Sequence, residues 1–540
     1  MTATKGKKMS KTVRAAFVAG WAMAAMATVN CFAGQAGPSA GTTPAPIDPR
    51  AMPRIGSVDE RYQSYNIEMV EVTGGRFWRP YASKAAAPTP SGNQPAGMDP
   101  SLYEYRAPIN LANPRLRKLA AALGPVYLRV SGTWANTTFF QDSDAPPPVD
   151  PPPGFKAVLT RAQWKGVVDF SRAVNGELVT SFSIGPGARD TDGVWTPSQA
   201  RQILAYTKSV GGSIAAAEFM NEPNFATLGG APKGYDAAAY GRDFHVFDAF
   251  ARKDAPGMLV LGPGGVGEGT SLLPPGMQQL SSASLLAAEG PGIDVFSYHS
   301  YAGVSSRCGA AGQSAATTTA DAALSDEWLA RPAKIEEFYA ALRDRFAPGK
   351  AIWLTETAQT ACGGDRWASS FVDSFRYLNQ LGLLARLGVK VHMHNTLAAS
   401  DYGLLDEKSY EPRPNYWSAL LWGRLMGTTV LDAGASSAST LHLYAHCLRD
   451  HPGGVALLAI NADRSNAQSL QMRVASERYT LTAPDLMGKL VALNGTTLQL
   501  GADDALPALK GVKTGKGGVA FAPESITFLA MPEAHNASCQ

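Results

Sequence analysis

Apolar residues along the chain fall into short continuous runs, separated by stretches in which they recur every three or four positions. The runs read as strands: YNIEMVEV (65–72), VYLRVSG (126–132), LVTSFSI (178–184), IAAAEFM (214–220), MLVLGPG (258–264), DVFSYHS (294–300), AIWLTE (351–356) and VKVHMHN (389–395). Between them, segments such as PSQARQILAYTKSVG, AAYGRDFHVFDAFARKD and PAKIEEFYAALRDRF carry the helical period. Eight strands alternating with helices predict an α/β protein with a parallel (β/α)8 barrel of the TIM type, over residues 61–416. After about Trp417 the pattern changes to short alternating strands broken by Gly, Asp and Asn, in GVALLAINA, SLQMRVAS, RYTLTA, TLQLG and SITFLAM. These predict a second, smaller C-terminal β-sandwich over 417–540, with a further strand contributed from 50–65 as one option.

The two ends of the N-terminal region need separate treatment. Residues 1–33 join a basic stretch, KGKKMSKTVR, to an apolar stretch of signal-peptide length, AAFVAGWAMAAMATV, and read as a removable secretory signal. Lipidation at Cys31 is disfavoured, because the residue before it is Asn30 where a small one is required. Residues 34–60 are rich in Pro, Gly, Ser and Thr and read as a flexible linker, and DSDAPPPVDPPPGF (142–155) reads as a stiff surface loop. No later segment is long and apolar enough to span a bilayer, so a secreted or periplasmic protein without stable membrane insertion is expected.

Composition adds little beyond this. The chain of 540 residues is 45% hydrophobic and 17% charged with a formal net charge of +3, too small an excess to imply nucleic-acid binding. With Cys31 removed, Cys308, Cys362, Cys447 and Cys539 remain, an even set in an exported chain, so two disulfides are expected in one of three connectivities. Cys308 and Cys362 each follow a strand-end motif and could staple two loops at one rim, which would leave Cys447 and Cys539 as the other pair.

Two carboxylates carry the candidate chemistry. In AAAEFMNEPNF, Pro223 lacks an N–H and disfavours a helical conformation at Glu222, so Glu222 is expected at the end of the fourth strand. In AIWLTETAQTACGG, Glu356 ends the seventh. In a closed barrel both face one mouth, and two carboxylates about 5 Å apart are the equipment of a retaining glycosidase, one as acid/base and one as nucleophile. Asn221 is suited to the sugar 2-hydroxyl, and Tyr301, with His299 beside it in SYHSY, to holding the nucleophile ionised. GPGGVG (262–267) matches a dinucleotide fingerprint formally, but its Pro263 and its context make it a loop. His392 and His394 share one face of a strand; no further ligand set accompanies them, so hydrogen bonding at the barrel mouth is expected, with no metal and no cofactor.

At the level of whole motifs the chain resembles the heparanase-like β-glucuronidases of glycoside hydrolase family 79, most closely their bacterial members. The resemblance is carried by YLRVSGT (127–133), EFMNEPN (218–224), SYHSY (297–301), IWLTETAQTACGG (352–364), DYGLLDE (401–407) with PNYWSALLWGRLMGTTVL after it, and FAPESITFLAM with Cys539. It implies a barrel with a β-sandwich, Glu222 as acid/base, Glu356 as nucleophile, and a Cys447–Cys539 disulfide. It also implies that Gly363 and Tyr402 hold the glucuronate carboxylate, that Asn395 and Thr133 lie in the sugar site, and that Glu71 matches an acid on strand one. Two departures stand out: only 142–155 occupies the place of the propeptide of the mammalian enzyme, which predicts activity as a single chain, and Ser400 and Asp401 replace a glycine before Tyr402.

The function expected is that of a retaining endo-β-glucuronidase acting on heparan sulfate or a related acidic glycan, as a monomer, with Arg366 and Arg189 as candidates for substrate sulfates. An exo-β-glucuronidase with a blocked cleft, a non-catalytic glycan-binding protein and a metal-dependent hydrolase are the alternatives, separable by single glucuronate release, by binding without turnover and by chelator sensitivity respectively.

Overall fold

A computed structural model describes residues 46–83, 99–269, 280–308, 317–434, 436 and 438–540. The segment read as a signal, Cys31 within it, and residues 34–45 of the linker lie outside these. Eight parallel strands close into a barrel in chain order: β1 (Gln63–Glu68), β2 (Val126–Ser131), β3 (Gly176–Ser181), β4 (Ile214–Glu218), β5 (Leu259–Gly265), β6 (Val295–Tyr301), β7 (Ala351–Ala358) and β8 (Val391–His394), which pairs back with β1. A helix follows each strand, from Pro114–Ala121 after β1 to Pro414–Leu425 after β8. Their starts are legible as caps. Asn113, Asp236, Ser281 and Ser325 each accept a backbone N–H from the first turn, and Thr160 with Gln163 forms a capping box.

The two-residue period of the strands divides the barrel interior into layers. Val179, Ala216, Leu261, Val295, Trp353, Val391 and Met393 fill the lower layer with apolar side chains. Two residues further along, the same faces carry Arg129, Glu218, Ser297 and Thr355, which bond to one another. The apolar floor thus supports a polar layer at the mouth.

Several sequence expectations shift. YNIEMVEV is strand only to Glu68, where a helical turn (Met69–Thr73) begins. GPGGVG is the end of β5 as far as Gly265, and Gly264, at φ +71°, leaves room for Glu218, whose Oε1 lies 3.1 Å from where a Cβ would stand. The barrel does not stop at 416: Pro414–Leu425 is its last helix, buried on all sides, so the loss of amphipathic period there reflects burial and not a change of domain. Within the supposed linker, Arg54–Ser57 pairs antiparallel with Met426–Leu431 at the edge of the sandwich sheet.

That sheet continues through Leu441–Leu448, Val455–Asn461, Ser525–Met531 and Ser476–Thr482. One face, with Leu443, Leu457 and Leu529, packs against the two-stranded antiparallel sheet of Gln468–Met472 and Gly517–Phe521. The other face covers the barrel helix Phe371–Arg386: Tyr444 donates to Asn379 Oδ1 at 2.6 Å, and its ring lies against Gly382. The N–H groups of Phe371 and Val372 donate to the carbonyls of Gly488 and Leu486, and Lys489 Nζ donates to Ala368 O at 2.8 Å. The second domain therefore fixes the start of the helix that follows the β7 loop. Disulfides join Cys308 to Cys362 at the barrel mouth and Cys447 to Cys539 in the sandwich.

At Gly382 an added Cβ would stand 2.2 Å from Tyr444 Cγ. Gly382→Ala is expected to destabilise the protein by about 1–3 kcal/mol despite alanine's higher helix propensity, read by urea unfolding.

Candidate active site

Arg129, in the middle of β2, is 1% exposed and lies in the polar layer. Its guanidinium donates to Glu218 Oε2 at 2.8 Å, Glu356 Oε2 at 2.9 Å and Asn221 Oδ1 at 2.8 Å, and lies 3.2 Å from His299 Nε2. Burial works against its charge, but Glu218 and Glu356 more than offset that and hold it protonated. Glu218 is buried too, and burial alone would raise its pKa; the charge and hydrogen bonds of Arg129 and His299 win and hold it well below the carboxylate range. Ser297 and Thr355 hydroxyls donate to its other oxygen.

Glu356 owes its aim to an irregularity in β7. The pairing of β6 with β7 shifts between Tyr298 and His299, and that of β7 with β8 shifts between Leu354 and Thr357. Alternation would turn Glu356 away from the interior after Thr355; the bulge turns both inward. Tyr301 OH donates to Glu356 Oε1 at 2.7 Å, and Arg129 holds Oε2.

Glu222 lies beyond the end of β4, not on it, at φ +49° and ψ +63°. Pro223 excludes the ordinary helical alternative, and the Asn136 amide brackets the preceding residue, donating to Asn221 O and accepting from Asn221 N–H, both at 2.9 Å. A left-handed glutamate held this way is strain kept at a site. Burial raises the Glu222 pKa; the His299 hydrogen bond opposes this and the Glu356 charge adds to it. His299 Nδ1 lies 3.1 Å from Glu222 Oε1 and 3.7 Å from Glu356 Oε2. Burial lowers the His299 pKa, but Glu356 and the neighbouring acids outweigh this and raise it to about 9.

Asn395, just past β8, donates to Glu68 Oε1 at 3.0 Å, Tyr301 OH at 3.2 Å and Tyr402 OH at 3.3 Å. The acid of strand one at the site is thus Glu68, not Glu71. β1 ends at Glu68, and Glu71 sits on the following turn, where it accepts the Glu68 N–H at 2.9 Å. Gly132, at φ +91°, is required opposite Glu68, whose Oε2 lies 1.5 Å from the position of an added Cβ. Gly363, at φ +80°, is packed against Trp78, and its carbonyl accepts the Asp401 N–H at 3.2 Å, which sets the glycine pair beside Tyr402.

Other expected residues lie elsewhere. Thr133 is exposed on the turn Thr133–Thr137 and borders a groove of about 290 Å³ with Trp134, Arg76 and Lys156. Arg366 is exposed at the rim, 4.6 Å over the Tyr81 ring. Arg189 is not available to a sulfate: its side chain is 4% exposed and paired with Asp243 at 2.6 Å. His392 and His394 do not face the mouth. They point outward against Tyr377 of the helix Phe371–Arg386, and burial lowers their pKa values to about 3 and about 4. Sequence reasoning missed Arg129, Glu218 and Glu68. The signal for the first was an arginine inside the apolar run VYLRVSG, which demands buried partners.

Among the described residues, Glu222, His299 and Glu356 bring one ligand atom each within 4.8 Å of one another, a spacing open to a cation. Arg129 and a protonated His299 already supply positive charge there and oppose one. Two close carboxylates, one with a raised pKa and one held by Arg129 and Tyr301, make the chain a glycoside hydrolase built on a (β/α)8 barrel. No family model matches the chain. It is similar to heparanase-like protein 2 of Arabidopsis thaliana, 26% identical over 80% of this chain and 87% of that protein, and to the heparanase of Gallus gallus, 28% identical over 74% and 84%. Over a shorter stretch it is 35% identical to the baicalin-beta-D-glucuronidase of Scutellaria baicalensis, covering 34% of this chain and 37% of that one. The barrel and sandwich together resemble a 4-O-alpha-L-rhamnosyl-beta-D-glucuronidase from Fusarium oxysporum, with a TM-score of 0.61 at 14% identity over 89% of this chain and 98% of that one. Similarity to heparanases and heparanase-like proteins extends over most of the chain.

Burial raises the carboxyls of Glu71 and Glu336 to about 7 and that of Glu289 to about 8, from 4.5, while His299 rises from 6.5 to about 9. Each binds more protons folded than unfolded above its ordinary value, so its contribution is lost as pH rises through the folded value. The buried histidines His392, His394 and His446 act oppositely, and only below 6.5. The unfolding temperature is therefore expected to fall as pH rises from 6.5 to about 8, above which the buried Lys489, lowered to about 8, acts oppositely. Glu289→Gln, which keeps an acceptor for Tyr240 OH, should reduce that fall in a calorimetric pH series.

Proposed function

We propose that the protein is a retaining endo-β-glucuronidase that cleaves glucuronyl linkages in heparan sulfate or a related acidic glycan. The observation that carries the reading is the approach of Glu222 and Glu356 oxygens to within 4.8 Å, the short separation of a double-displacement enzyme and well under the spacing that admits a water between them. The similarity to heparanases and to a β-glucuronidase supports the choice of sugar.

In the first step the protonated Glu222 gives its proton to the glycosidic oxygen as Glu356 attacks the anomeric carbon. Tyr301 and Arg129 each donate to one Glu356 oxygen and hold the carboxylate in place for the attack. Asn221 has its Oδ1 engaged by Arg129, which directs its amide donors to the sugar 2-hydroxyl. Formation of the glycosyl ester removes the Glu356 charge, one of the causes that raise Glu222. Glu222 then becomes the stronger acid and serves as base for the water that releases the product. The backbone at Gly363 and the phenol of Tyr402, both neutral, receive the glucuronate carboxylate. Export to an oxidising compartment fits the two disulfides, and action as a single monomeric chain completes the reading.

Size-exclusion profiles of heparan sulfate test it. Wild type should shorten the chains rapidly to intermediate fragments, with or without chelator, whereas Glu222→Gln and Glu356→Gln leave them at full length. Release of single glucuronate residues without internal cuts would replace the endo reading by an exo one, and retention of the glycan without turnover would make this a binding protein.

A further inference from the structure

Asp401 precedes Tyr402 in the chain, and its N–H donates to the carbonyl of Gly363 at 3.2 Å. An acid there adjoins the Gly363 and Tyr402 pair where the glucuronidase reading puts the sugar carboxylate, and its charge would oppose binding. We propose that Arg307 is a specificity-determining residue that masks Asp401, so that Gly363 and Tyr402 present a neutral pocket to the anionic sugar. The inference rests on that reading of the site.

The masking is built by three loops. Arg307 Nη2 pairs with Asp401 Oδ2 at 2.7 Å, with the two side chains 8% and 17% exposed, and it is the only ion-pair partner of Asp401 among the described residues. The guanidinium lies 3.7 Å over the Tyr81 ring and also donates to the Arg79 carbonyl. Tyr81 N–H is shared by the two Asp401 oxygens at 3.0 and 3.3 Å, and its hydroxyl bonds to Ser305 at 2.9 Å. Stacking and pairing together fix the arginine over the acid, in a geometry where guanidinium suits better than a mobile charge. The acid is bound on one side by an amide and on the other by a permanent cation, which cancels its charge toward the sugar.

Steady-state kinetics of heparan sulfate cleavage, followed as new reducing ends, read the effect. Arg307→Met removes the ion-pair partner of Asp401 and should raise KM roughly tenfold with little change in kcat, as expected for a charge acting on substrate binding. Arg307→Lys keeps the charge and should stay near wild type, and Arg307→Met/Asp401→Asn, which removes both charges, should recover most of the loss. Equal impairment of the single and double variants would show a brace and overturn the masking role, as would an unchanged KM in Arg307→Met. A wild-type protein that generates no new reducing ends from heparan sulfate overturns the glucuronidase reading itself, a failure visible before any variant is compared.

Discussion

A single buried cation sets the terms for the active site. Arg129 stands in the barrel with no route to solvent, and a lone guanidinium there would be far too costly to keep. Glu218 and Glu356 answer it directly, and the Asn221 amide oxygen completes the set. Breaking such a pair typically costs about 3–5 kcal/mol, because the charge left behind has no partner. Glu218 takes the greater share: two guanidinium nitrogens and two hydroxyls reach it, so it acts as a fixed counter-ion below the reacting groups. Glu356 shares only one guanidinium nitrogen and one phenol, and keeps its outer face toward the mouth.

The same network separates the two glutamates that face each other. Glu356 receives donors, whereas Glu222 is raised by burial and by the charge of Glu356. One side-chain type thus stands in two different environments at a single mouth. His299 lies between them, its Nδ1 3.1 Å from Glu222 Oε1 and 3.7 Å from Glu356 Oε2.

Much of this was legible in the sequence, and the rest failed for definable reasons. The eight strands emerged because each is a short apolar run flanked by helical periods, and Glu222 and Glu356 because each follows such a run. The aim of Glu356 was not legible: it depends on a bulge, which leaves no trace in a two-residue period. Glu71 was placed on strand one because YNIEMVEV reads as one strand, whereas a helical turn begins at Met69 and carries Glu71 past the site. His392 and His394 share a strand face, but alternation does not say which face is inward, and theirs packs on Tyr377. The domain boundary was drawn too early because a helix enclosed by barrel and sandwich has no polar stripe to betray its period. The sandwich, in turn, supports the β7 loop through Lys489 and the Leu486 and Gly488 carbonyls, a long-range contact that no local pattern encodes.

The central claim is that Glu356 attacks the sugar while Glu222 supplies and recovers the proton. Its most direct test is to incubate the protein with 2-deoxy-2-fluoro-β-glucuronyl fluoride, which slows hydrolysis of a glycosyl ester, and to locate the label by peptide mass spectrometry. The account predicts one sugar per chain on the peptide containing Glu356. A label on Glu222, or turnover of the reagent with no labelled peptide at any time, would contradict it.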